Sequence, residues 1–310
     1  MSARIHRSAL SIAISLLVAT ATNAFAGAWN LEPGEYYSQI YGSVFSSDTY
    51  YDQHGDRAFL HGNGLWEERS LVSYNELGWK PKISFILGIP VKSVTRQLGG
   101  PEPQVLATAT GPADGIIGFR YRLANGQRAL AVEVDWITPL SYERNRTLAK
   151  ISPADSMIAA QDSNAFRQLS EPVLGDGVQN VAFNLNFGLE LHRGFFEGYG
   201  GFKYRFEAPT NQVLLGADLG FYLTKGILVA GRYRGLIASQ ADDPTAEPVE
   251  HRAGPVLLYR VDQHMDLFLA SMHTFAGTNT LHTDEIYAGF AFKQTKLNRL
   301  QGYLGGVSPP

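Results

Sequence analysis

The chain has 310 residues, no cysteine and a formal charge of −3. Without cysteine there is no disulfide framework, thiolate metal site or cysteine nucleophile. With 26 basic residues against 29 acidic ones, there is no basic stripe for nucleic acid.

The first segment to read is 1–26. Arg4 and Arg7 precede an apolar run from Ala9 to Ala19, and Ala24-Phe25-Ala26 stands before Gly27. A charged start, a short apolar stretch and a small-residue end predict a Sec-type signal peptide over 1–26. The run is too short to cross about 30 Å of hydrocarbon, which takes about 20 residues. Its removal leaves 24 basic and 29 acidic residues, a charge of −5. No later stretch approaches about 18 uncharged apolar residues, so no membrane-spanning helix is predicted. Export then leaves the periplasm, the outer membrane of a Gram-negative bacterium, or the medium.

From residue 27 the chain shows little helical periodicity. It shows instead about twelve segments that alternate apolar and polar residues. They lie near 34–45, 67–80, 82–96, 113–124, 128–140, 178–191, 195–207, 211–224, 227–239, 251–261, 264–276 and 283–293. In 115–123, Arg120 and Arg122 stand opposite Ile117, Phe119, Tyr121 and Leu123. The next strand sets Glu133 and Asp135 opposite Leu130, Val132, Val134 and Trp136, and Asn125-Gly126 between the two is a hairpin signal. The clearest alternation is Val181 to His192, with Val181, Phe183, Leu185, Phe187, Leu189 and Leu191 on one face. In the following strand, Phe196, Phe202, Tyr204 and Phe206 oppose Glu197, Tyr199, Lys203 and Arg205. Further on, Arg232 and Arg234 oppose Val229, Tyr233 and Ile237. The second, tenth and eleventh segments alternate poorly.

The connections support one architecture. Those at Pro81, 125–126, 192–194, 225–226 and 261–264 are tight, whereas the alternate ones are mostly long, at 46–66, 97–112, 141–177 and 240–250, with two short exceptions near 208–210 and 277–282. Such alternation, with an even strand count, predicts an all-β, transmembrane, antiparallel up-and-down β-barrel of about twelve strands over 27–293. A soluble sandwich also alternates, but buries its apolar face. Here the outward face is rich in Phe, Tyr, Leu and Val, and the charges line the lumen. Register has an energetic basis. A one-residue slip of 196–207 would turn Lys203 and Arg205 into lipid, at roughly 2–4 kcal/mol each near mid-bilayer. The last strand ends in Phe290 and Phe292, and 294–310 reads as a periplasmic C-terminal tail.

Four stretches resemble the outer-membrane proteins of the meta-pathway of phenol degradation family. They are GAWNLEPGEYYSQIYGSVFSSDTYYD (27–52), SYNELGWKPKISFILGIPV (73–91), GPADGIIGFRYRL (111–123) and LGDGVQNVAFNLNFGLEL (174–191). The resemblance implies a porin-like barrel that transports hydrophobic or aromatic compounds, and it identifies no substrate. The partners it implies are outer-membrane lipid, the barrel-assembly machinery and a small hydrophobic or aromatic solute. No cofactor is expected.

Three sets of residues are candidates for function. The expected pore-lining charges are Arg120, Arg122, Glu133, Asp135, Lys203, Arg205, Arg232 and Arg234. They could set selectivity or form internal salt bridges. A lumen of twelve strands lies between a filled barrel and an open channel, which favours a structural role for most of them. The long 141–177 connection carries Met157, Ile158, Phe166 and Leu169, which could form a gate or only a surface loop. His54 and His61 share a loop with no third ligand, so no metal site is expected. Ser271 and His273 lie two apart on one strand face, without a nucleophile motif. The expectation is therefore a channel. A lipid-modifying enzyme and a structural or interaction barrel with a closed lumen are the alternatives.

Overall fold

The computed structural model describes residues 28–60, 63–98, 104–140, 142, 174–175, 177–206, 211–238 and 248–294. Its strands are β1 (Tyr36–Ser47), β2 (Thr49–Tyr51), β3 (Arg57–Phe59), β4 (Leu65–Lys80), β5 (Ile83–Leu98), β6 (Gln104–Pro112), β7 (Asp114–Ala124) and β8 (Arg128–Pro139). They continue with β9 (Asn180–Leu191), β10 (Gly194–Arg205), β11 (Gln212–Tyr222), β12 (Ile227–Ala238), β13 (Val249–Arg260), β14 (Met265–Thr278), β15 (Thr280–Leu281) and β16 (Asp284–Gln294).

The wall runs β1–β16–β14–β13–β12–β11–β10–β9–β8–β7–β5–β4 and closes by pairing β4 with β1, every pair antiparallel. This is a closed twelve-stranded barrel. β6 continues β7 beyond Ala113: β5 pairs with β7 through Ile83–Gly88 and with β6 from Val91 onward. Closure pairs each of the twelve wall strands on both sides, which a lipid environment requires because it cannot hydrogen-bond to open amides. β2, β3 and β15 form a small sheet at the long-loop end.

The side-chain pattern is inverted relative to a soluble protein. Along β9, Asn180, Asn184 and Asn186 are buried, while Phe183, Leu185 and Phe187 are exposed. The same phase holds on β7, with Arg120 inside and Ile117, Phe119 and Tyr121 outside. An apolar belt of this extent on a barrel wall is a lipid-facing surface. The chain is thus an outer-membrane β-barrel.

All twelve expected wall segments are present. The connections are less bare than expected: 46–66 holds β2 and β3, and 97–112 holds β6. The Asn125-Gly126 hairpin differs in detail. Only Gly126 has positive φ, at 107°, and Asn125–Gln127 form a three-residue link beside a bulge between Arg122 and Ala124. A two-residue primed turn would need positive φ at both central positions. The expected signal peptide and C-terminal tail lie outside the described residues, apart from Gln294.

Candidate functional site in the barrel interior

The interior is built from the inward residues of each strand, and it holds two kinds of packing. The first is ionic. Arg120 is 1 % exposed and bridges two strands, with Nη1 2.8 Å from Glu76 Oε2 on β4 and Nε 2.7 Å from Glu133 Oε2 on β8. Asp135 accepts a bond from Asn184 Nδ2 at 3.3 Å, and Asn186 Nδ2 reaches Glu133 Oε2 at 3.5 Å. On the opposite wall, Asp218 takes Arg232 at 2.7 Å and Arg234 at 2.6 Å. Arg252 pairs with Glu285, which also accepts the Ser43 hydroxyl at 2.6 Å. Lys92 pairs with Glu68 at 3.0 Å.

The second kind is aromatic. Tyr37, Tyr41, Tyr74, Phe268 and Tyr287 gather inside with Met272, Val72, Ile86 and Val256. Their rings meet mainly edge to face, Tyr37–Tyr74 at 6.3 Å and Tyr41–Phe268 at 6.0 Å. Rings prefer such geometry because their quadrupoles favour edge on face. The ionic and aromatic sets are tied together: Arg232 Nη1 donates to Tyr287 Oη at 2.7 Å, and Arg120 Nη2 to Tyr74 Oη at 3.3 Å. The first of these bonds joins β12 to β16, which are not wall neighbours.

A strap formed by 28–35 folds into the end of the barrel that carries the tight turns. Trp29 Nε1 donates to the Gly126 carbonyl at 3.0 Å, and its ring lies on inward-facing Gly188, where a Cβ would come within 2.7 Å of the indole. Asn30 Nδ2 donates to the Arg120 carbonyl at 3.0 Å, and Glu32 pairs with Arg122 at 2.8 Å. Gly78 admits the strap backbone, since a Cβ there would lie 2.0 Å from the Glu32 carbonyl oxygen. Leu31 packs on the aromatic cluster.

At the loop end, Leu174 is buried against Val94 and Ala113, with Trp66, Ala109 and Tyr142 beside it. Tyr142 Oη donates to Asp114 and accepts the Gly177 amide at 2.8 Å. Both ends of the long 141–177 connection therefore tuck into this mouth. The gate candidates Met157, Ile158, Phe166 and Leu169 lie outside the described residues.

Arg120, Arg122, Glu133, Asp135, Lys203, Arg205, Arg232 and Arg234 all alternate with lipid-facing neighbours and point inward. The structure gathers Arg120 with Glu133, and Arg232 with Arg234. It does not gather Lys203 with Arg232, since Lys203 pairs with Gln212, six residues along β11 from Asp218. Sequence reading missed Glu76, Asp218, Glu285, the tyrosines and the strap.

On the outer face, His273 Nδ1 lies 2.5 Å from Asp284 Oδ1, and its ring sits 4.9 Å from that of His282. Burial, then Arg57, then His273 hold the His282 imidazole below its usual proton affinity. In the adjoining loop, the Asp56 and His54 amides hold the Asp52 carboxyl below the usual carboxylate range. Among the described residues Ser271 makes no hydrogen bond to His273.

No family model and no curated protein matches the chain. Among solved structures, the COG4313 outer membrane channel from Pseudomonas putida F1 is similar over 89 % of this chain and 100 % of that one, with 12 % identity and a TM-score of 0.65. More distant are the translocator domain of autotransporter NalP from Neisseria meningitidis and a TodX monoaromatic hydrocarbon channel mutant. The first has 9 % identity, covers 94 % of this chain and 95 % of that one, and has a TM-score of 0.45. The second has 11 % identity, covers 92 % and 98 %, and has a TM-score of 0.47.

Proposed function

We propose that this barrel is a channel that passes small hydrophobic or aromatic compounds across the outer membrane. The observation that carries the reading is the interior itself. A ring of edge-to-face tyrosines and Phe268 stands where a filled structural barrel would need only ion pairs. Such rings offer an apolar, polarisable surface to a flat solute, and their hydroxyls keep it oriented. The strap over the turn end and the Leu174–Tyr142 packing at the loop end act as restraints on passage. The structural likeness to an outer-membrane channel over 89 % of this chain supports the coarser part of this reading. On this reading sugar-sized solutes do not pass the ion pairs packed around Arg120 and Asp218.

Uptake by proteoliposomes tests it. Vesicles containing the barrel should take up a labelled monoaromatic compound faster than vesicles without it, and should not take up a labelled disaccharide faster. Equal uptake of the aromatic in both, or release of fatty acid from the vesicle lipid, would replace the channel by a closed-lumen barrel or an enzyme.

A further inference from the structure

A polar island interrupts the apolar outer wall on β1 and β4. The two strands pair with Ser38 beside Asn75 and Ile40 beside Ser73. Tyr36, Ser38, Ser73 and Asn75 alternate with the buried, inward Tyr37, Gln39, Tyr74 and Glu76, so all four lie on the lipid-facing side. Apolar side chains surround them on that face. Leu71 and Leu77 stand above and below on β4, Ile89 faces Ser73 from β5, and Phe292 faces Ser38 from β16.

The depth of the island follows from the turn end of β4. Trp79 is exposed there, with the Lys80 ammonium 4.6 Å from its ring centre, a pairing suited to the membrane interface. Asn75 lies four residues along the strand, roughly 10 Å deeper at a rise of about 3.3 Å per residue and a tilt of about 40°. Headgroups and water do not serve a side chain at that depth. They do serve the Ser93–Thr110 and Thr95–Thr108 pairs, which lie beyond Val91 towards the long loops.

The island is only half satisfied by itself. Tyr36 Oη and Ser38 Oγ both donate to Asn75 Oδ1, the second at 2.9 Å, and Asn75 Nδ2 donates to Ser73 Oγ at 3.0 Å. Among the described residues the second Asn75 amide hydrogen and the Ser73 hydroxyl hydrogen meet no acceptor. Tyr36 Oη and Ser38 Oγ keep free lone pairs. Spare donors and spare acceptors thus stand side by side at one depth, in a medium that offers neither.

We propose that this face is a self-association surface, on which two copies of the barrel pair about a two-fold axis along the membrane normal. Such an axis maps each depth onto itself, so the free donors of one copy meet the free acceptors of the other, reciprocally. The complementarity is between the island and itself, which is why a second copy is the partner. The pairing concerns the outer face and does not depend on what passes through the lumen.

The chain has no cysteine, so single cysteines report contacts cleanly. In vesicles, a short bis-maleimide should link Ser73→Cys barrels into dimers and leave Phe187→Cys barrels, labelled on the far side of the wall, as monomers. Energy transfer between donor- and acceptor-labelled Phe187→Cys copies, followed as lipid is added, gives the dissociation constant. Adding Asn75→Leu should raise it about tenfold, the effect of two symmetry-related bonds in a bilayer. Heat-modified electrophoretic mobility shows that each variant is folded. No dimer at 73, equal linking at 73 and 187, or energy transfer in the Asn75-containing barrel no greater than random mixing predicts would overturn the proposal. An unchanged dissociation constant in folded Asn75→Leu would overturn it as well.

Discussion

Arg120 shows at the residue scale how a charge survives inside this wall. Its planar fork meets Glu76 and Glu133 at once, and its third nitrogen reaches Tyr74. Replacing it by Met leaves two buried carboxylates opposed without a counter-charge, which costs about 3–5 kcal/mol. Urea unfolding of Arg120→Met in detergent micelles should show that loss. Arg120→Lys should lose less, because the charge remains while the two-sided geometry does not. Some of this cluster was legible in the sequence and some was not. Arg120, Glu133 and Asp135 stand out because their neighbours on β7 and β8 are uniformly apolar. Glu76 does not, because the inward face of β4 also carries Val72 and Tyr74. With apolar groups on both faces, the alternation that marks a lipid-facing strand disappears. The same cause blurred β13 and β14, where Val256, Phe268, Ala270 and Met272 point inward.

At the scale of elements, the strap and the loop-end sheet are the parts most open to change. The strap depends on Gly188, which accepts the Trp29 ring. Gly188→Leu should expel that ring, and amide exchange over 29–32 should rise severalfold while the β9–β10 ladder stays protected. Unchanged exchange would mean that Trp29 is held elsewhere. Nothing in periodicity marks a segment of this kind, because a short irregular strap has no repeat. Trp29 was read only as part of a family resemblance, and its inward placement required coordinates.

The loop-end sheet has a pH dependence whose sign follows from His282. This ring lies against Thr49 and Tyr51, with His273 at 4.9 Å and Arg57, Asp284 and Asp48 as the other nearby charges. Its folded-state proton affinity is lowered by burial and by Arg57. The neutral form is therefore favoured on folding, and stability is lost as pH falls below the unfolded histidine value of about 6.5. Protection factors of the amides in 49–51 and 57–59, with exchange corrected for its intrinsic pH dependence, should fall between about pH 7.5 and pH 5, and His282→Gln should flatten that response. An identical pH response in the variant would remove His282 as the cause.

For the molecule as a whole, closure and inversion go together. The twelve antiparallel wall strands are each paired on both sides, and the alternation that puts Asn184 and Asn186 inside puts Leu185 and Phe187 outside. Architecture was the most legible level because each strand repeats the same two-residue signal. The interior was the least legible, because its aromatic cluster is assembled from β1, β4, β14 and β16, far apart in the chain. Lipid then stabilises the fold from outside, as a hydrophobic core does from within. Heating in detergent should shift the barrel's electrophoretic mobility as the closed ladder opens.

The absence of cysteine from the chain permits the most direct test of this arrangement. Single cysteines at 183 through 189, spin-labelled in reconstituted vesicles, report whether each site meets membrane-dissolved oxygen or a water-soluble relaxant. The account predicts oxygen maxima at 183, 185, 187 and 189 and minima at 184, 186 and 188. Maxima at the even positions, or water-like exposure along the whole series, would contradict it.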